Sequence, residues 1–174
     1  GSRLVLSITE NPGGLDLLAD AASASEAKPG DPEASKGPTW EISYFKPVSA
    51  PVHWQSYQGV DAVFLHLPEP ARFKEAQVRA LRRWVELGGH LLVALSAKRP
   101  VTLAGNWLGE LLPCTVEGNV DLGSLEDLDR KEGVTPKPTG AFSVARLVPA
   151  AAAATAAMQG PAVLACSRER SSGR

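Results

Sequence analysis

Chemistry in this chain would have to come from a short set of side chains. His66 closes an apolar run and stands just before Glu69. A histidine beside a carboxylate in a crevice can move protons near neutral pH. The plainer reading of a single histidine in a strand is structural. Ser96 is a second candidate nucleophile, but Ala94 and Lys98 stand where a G-x-S-x-G elbow needs its flanking glycines. Cys114 and Cys166 have no CxxC spacing, and all three histidines (His53, His66, His90) precede them. They read as small buried apolar side chains, with a disulfide as the alternative that spacing leaves open. Asp121, Glu126, Asp127 and Asp129 miss the spacing of a calcium loop and read as a solvated acidic face. No cluster offers the three or four ligands of a zinc site, so neither metal nor cofactor is expected. Gly13-Gly14 carries no GxGxxG or GxxxxGK[ST] pattern and reads as a tight turn.

The element that must position any such group runs from Asp61 to Ser96. Val63, Phe64, Leu65 and Leu67 form a nearly continuous apolar run, which suits a parallel strand covered on both faces. Pro68 ends it, and Pro70 suits the first turn of a helix. The spacing predicts a helix over Ala71–Leu87. Phe73, Val78, Leu81, Trp84, Val85 and Leu87 form one stripe, and Glu75 and Arg79 form an i,i+4 pair. Gly88-Gly89 stops it, and His90–Leu95 is a second apolar strand. Strand, helix and strand together predict a right-handed parallel crossover.

Other elements attach to this crossover. Arg3–Ile8 reads as a strand and Leu15–Ala22 as a helix. The span 23–38 reads as a mobile loop, rich in Ser, Ala, Pro, Gly and charge. Trp40–Phe45 alternates as an edge strand does. Trp54 and Tyr57 could stack a ligand, although packing under a loop is the simpler use of them. A short helix is expected around Trp107–Leu112 and a short strand at Pro113–Val116. Ser124 and Asp127 have the spacing of a capping box. Ala141–Val148 reads as a strand, the alanine run from Pro149 to Gly160 as a helix, and Ala162–Cys166 as a last buried strand. The fold class expected is α/β, a flavodoxin-like or Rossmann-like three-layer sandwich. Its mainly parallel sheet would have the order 2-1-3-4-5, with strands starting at Arg3, Trp40, Asp61, His90 and Ala162.

Three runs carry a family likeness: Tyr57-Gln58-Gly59-Val60-Asp61, then Gln77 to Val93 through the double glycine, then Leu108-Gly109-Glu110-Leu111-Leu112-Pro113. Together they resemble the class I glutamine amidotransferase-like domains of large bacterial membrane-anchored proteins, over roughly residues 3–118. The resemblance implies a nucleophilic cysteine at the turn after the Gly-Gly strand and a later His–Glu pair. Leu95 falls on the cysteine, Ala97 on the elbow glycine, and no histidine follows. What the resemblance implies is therefore the fold without its chemistry, a pseudoenzyme domain serving binding or assembly within a larger bacterial protein. Two alternatives stand beside it. One is a divergent hydrolase or transferase using His66, Glu69 or Ser96, and the other is a sugar- or nucleotide-binding module.

Composition sets outer bounds. The chain has 174 residues, with 18 Lys plus Arg against 19 Asp plus Glu, which argues against a nucleic-acid partner. No run approaches the roughly 18–20 apolar residues of a membrane span, so no direct membrane contact is expected. The resemblance nevertheless implies a membrane-anchored parent, with an extracytoplasmic or membrane-tethered placement. One domain is expected over 3–168, after a Gly1-Ser2 cloning remnant and before a polar tail at 169–174. In an open parallel sheet, ligands bind outside the C-terminal strand ends where the strand order switches. That places a partner rim at Glu10, Asn11, His66, Glu69, Arg72, Ser96, Lys98 and Arg99. Its mixed charges suit a polar protein partner or a small polar ligand.

Overall fold

The computed structural model describes residues 2–10, 40–98, 103–123, 141–151, 153–159 and 162–167. The helix expected at Leu15–Ala22, the 23–38 loop, the Ser124/Asp127 capping box, Asn11 and Arg99 lie outside them. The chain divides into two compact units, one holding Gly1–Ala94 with Ser171–Arg174 and the other Leu95–Arg170, whereas the sequence reading joins 3–168 into one domain.

The first unit is built on four parallel strands: β1 (Arg3–Ile8), β2 (Trp40–Phe45), β3 (Ala62–His66) and β4 (His90–Ala94), in the order β2-β1-β3-β4. The expected order therefore holds for the first four strands. Val5, Leu6, Ile8, Val63 and Leu65 bury the middle of the sheet. At its N-terminal end, Asp61 ties β1 to β3: the Leu4 N–H donates to Asp61 Oδ2 at 2.7 Å, and the Asp61 N–H donates to the Leu4 carbonyl at 2.8 Å.

Between β3 and β4 lies helix α1 (Glu75–Glu86). It starts later than the expected Ala71. Pro70–Arg72 instead forms a separate 3-10 turn, and Phe73 is extended and buried. The late start puts Lys74 at the N-cap, where its N–H donates to Gln77 Oε1 at 2.8 Å. Val78, Ala80, Leu81 and Trp84 are buried, and Glu75 pairs with Arg79 as the i,i+4 spacing predicts. The helix closes as a Schellman motif: Gly88 N–H donates to Val85 O and Gly89 N–H to Trp84 O. Gly88 takes a φ of 99°, which favours glycine, and a Cβ at Gly89 would run into the Trp84 indole.

Two expectations fail at the far side of this sheet. β4 is not covered on both faces; Leu92 is 54% exposed. The fifth strand is not there either. Ala162–Ser167 (β8) pairs antiparallel with Ala154–Gln159 (β7), with only Gly160-Pro161 between them in sequence. Ala154–Gln159 is therefore a strand, where the sequence predicts a helix over Pro149–Gly160. Alanine's helix propensity is a weak prior, worth only tenths of a kcal/mol per residue, and strand pairing overrides it.

The second unit holds β7 and β8 together with helix α2 (Trp107–Leu111) and the antiparallel pair β5 (Cys114–Leu122) and β6 (Phe142–Pro149). β5 runs well past the expected end at Val116, through a register shift between Val116 and Asn119 where Gly118 has a φ of 74°. Asn106 caps α2 by accepting from Leu108 N–H and Gly109 N–H at 2.9 and 3.1 Å.

Candidate functional site

The C-terminal ends of β1 and β3 are neighbours because those strands pair in parallel. Thr9 follows β1, buried, with its N–H donating to the Phe45 carbonyl at 3.0 Å. Glu10 comes next. Beyond β3, Leu67 adopts a φ of 48°, a left-handed conformation that costs a bulky L-residue roughly 1–2 kcal/mol. The Leu67 N–H donates to the Ala94 carbonyl at 3.0 Å, which holds this turn in place. Pro68 then leads into the 3-10 turn carrying Arg72.

Three of the rim residues come together here. The Arg72 Nε donates to Glu69 Oε2 at 3.0 Å, and its Nη1 lies 4.0 Å from Glu10 Oε1. The bond to Glu69 and the charges of Glu69 and Glu10 raise the guanidinium pKa further. The three side chains stay open to water, at 55% for Arg72, 37% for Glu10 and 53% for Glu69. Exposed pairs of this kind contribute roughly 0–1 kcal/mol, so the trio adds little to folding.

His66 does not complete an acid–base pair. Its ring stacks on Phe64, two residues back on the same face of β3, with centroids 5.9 Å apart and planes at 12°. Among the described residues no hydrogen bond joins it to Glu69, whose carboxylate goes to Arg72. Trp54 and Tyr57 lie in a 3-10 turn (Trp54–Tyr57), and Tyr57 is used for packing. Its ring meets Trp84 at 5.6 Å, and its hydroxyl donates to the Pro51 carbonyl at 3.3 Å. Burial pushes the phenol pKa up to about 12.

Ser96 and Lys98 belong to the second unit. Ser96 Oγ accepts from the Lys98 N–H at 3.1 Å, closing a local turn rather than presenting a nucleophile. The second unit carries a half-open cavity of about 590 Å³, and among the described rim residues Ser96 lines it. Asn106, Glu110, Cys114 and Asn119 also face the cavity. Asn119 Nδ2 donates to the Ala97 carbonyl at 3.1 Å, and Asn106 is spent on its helix cap. Among the described residues no group of three or more His, Cys, Asp or Glu is placed to hold a metal. No described helix is long and apolar enough to cross a membrane.

Sequence reasoning missed three features. The Leu67 conformation leaves no compositional trace. The cavity arises from the packing of segments distant in sequence. Gln77 did leave a signal, as an uncharged polar residue on the apolar side of α1. It is 1% exposed, and its Nε2 donates to the carbonyls of Pro47, Val48 and Ala50 at 2.9, 3.2 and 2.8 Å.

No protein-family model, curated protein or solved structure matches this chain.

Proposed function

We propose that the chain is a non-catalytic binding domain of the class I amidotransferase-like type, acting within a larger bacterial protein. On this reading its parallel sheet belongs to a flavodoxin-like three-layer sandwich that has kept the topology and lost the reaction. The observation that carries the proposal is the meeting of Glu10, Glu69 and Arg72 on the loops leaving adjacent β1 and β3. In open parallel sheets this switch point is where ligands bind. The position that the family gives to its cysteine holds Leu95. Two carboxylates around one guanidinium leave the trio with an excess negative charge. The partner this suits is polar and carries a basic group, held by charge-assisted hydrogen bonds from ammonium or guanidinium to carboxylate.

The test is an NMR titration of the protein with a short lysine–arginine peptide, run beside a monosaccharide and a mononucleotide. Shifts centred on Glu10, Glu69 and Arg72, weakened in Glu10→Gln and Glu69→Gln, are expected for the peptide alone. Shifts elsewhere, or unchanged binding in both variants, would place the working surface on another part of the chain. Release of ammonia from glutamine, abolished by Ser96→Ala or Cys114→Ala, would overturn the non-catalytic reading.

A second reading rests on the cavity of the second unit, whose size suits a small ligand. Protection of the Ser96 and Asn119 amides by the sugar or the nucleotide in the same titration would favour it.

A further inference from the structure

The two cysteines of this chain are far apart in sequence and lie on strands that β6 brings together. Cys114 opens β5 opposite Pro149, and Cys166 lies near the end of β8 opposite Thr155. β6 connects them, since it pairs with β5 and also packs against β8. Both thiols are free, Cys114 buried and Cys166 half-buried, and each influences the electrostatics of the other. Cys114 also lines the cavity, so a small reagent has a route to it. We propose that Cys114 and Cys166 form a reversible disulfide that staples the β7–β8 hairpin to the start of β5.

The chemistry is thiol–disulfide exchange with a low-molecular-weight disulfide such as glutathione disulfide. Burial raises both thiols, Cys114 to about 11. Cys166, the more exposed of the two, is therefore the attacking sulfur. Its thiolate bonds to one sulfur of the oxidant, breaks the S–S bond and releases one glutathione thiolate. Cys114 then gives up its proton and attacks the Cys166 sulfur of the mixed disulfide, expelling the second glutathione. The protein loses two electrons and two protons, and the oxidant gains them as two thiols. Because only thiolates attack, the reaction accelerates as pH rises toward the thiol range.

The test is incubation of the full chain with glutathione disulfide, followed by alkylation in denaturant and peptide mass mapping. Expected is a single intramolecular link between the Cys114 and Cys166 peptides, a mass lower by two hydrogens, and a rate that rises with pH. The oxidised protein should unfold at higher urea than the reduced one. Cys114→Ser and Cys114→Ala should stop at a glutathione adduct on Cys166, and Cys166→Ser should stay largely unmodified. Two alkylatable cysteines in the folded wild type, under conditions that oxidise the urea-unfolded chain, would overturn the proposal. So would disulfides formed only between molecules on a non-reducing gel.

Discussion

Replacing Gln77 by methionine, a side chain of similar length with neither an amide donor nor its acceptor, isolates the polar clamp beneath α1. In the native chain one amide group holds three backbone carbonyls of residues 47–50 and the Lys74 N–H. Pro47 O keeps a second donor in the Ala50 N–H, at 3.2 Å. The Ala50 carbonyl and the Lys74 N–H lose the Gln77 bond in a buried or partly buried setting. Each deprived group costs about 1–3 kcal/mol. Apolar burial of the methionine returns about 1 kcal/mol, for a net loss near 3 kcal/mol. The loss is read from urea unfolding at neutral pH, with hydrogen exchange of the α1 amides as a local check. Gln77→Glu sharpens the test. A carboxylate facing three carbonyls is repelled, so the folded-state pKa of the new Glu is raised above its unfolded value of about 4.3. Its penalty is therefore small below that pH and grows as pH rises toward the folded-state value. If Gln77→Met unfolds within about 0.5 kcal/mol of the native chain, or if Gln77→Glu shows no such slope, the clamp does not bear on stability as argued.

Other expectations follow from the same core. Trp84 is 6% exposed, and Trp84→Ala should cost about 3–5 kcal/mol in urea unfolding. Gly89→Ala should cost about 1–3 kcal/mol, because its Cβ meets the Trp84 indole. In the double variant the two losses should fall short of additive, and strict additivity would show that the two residues do not touch. Tyr57 has a folded-state pKa of about 12 against 10.0 for the free phenol. Its neutral form is the one the fold favours, so stability should be intact below about pH 10 and fall as pH rises toward 12. Tyr57→Phe should flatten that alkaline fall, and an early phenolate absorbance change in the folded native protein would contradict the assignment.

Local signals foretold much of the first unit. Continuous apolar runs at β1 and β3, a helix stripe with Trp84 in it, and Gly88-Gly89 at the stop each reflect short-range constraints. Burial, helical period and the left-handed cap act over only a few residues, so composition in a narrow window carries them. The parallel crossover follows as well, since two strands joined through a helix of this length have little other way to pair. The same logic brought Glu10, Glu69 and Arg72 to one switch point.

The failures share a different cause. The alanine run after Pro149 has local propensity for helix, yet β8 offers Ala154–Gln159 an antiparallel partner, and no short window records that partner. β8 in turn pairs with β7 instead of extending the sheet beyond β4, and Leu92 is exposed despite its apolar neighbours in the chain. His66 and Glu69 are close in sequence but take different partners, because the strained Leu67 and the Pro70–Arg72 turn send Glu69 to Arg72. Cys114 and Cys166 do the opposite, drawn toward each other only because β6 touches both of their strands. Sequence alone therefore determined the elements whose stability is local, and with them the order of the first four strands. Tertiary structure chose the partners of β4, β7 and β8 and the contacts of His66 and of each thiol, because those energies belong to pairs of segments rather than to either segment by itself.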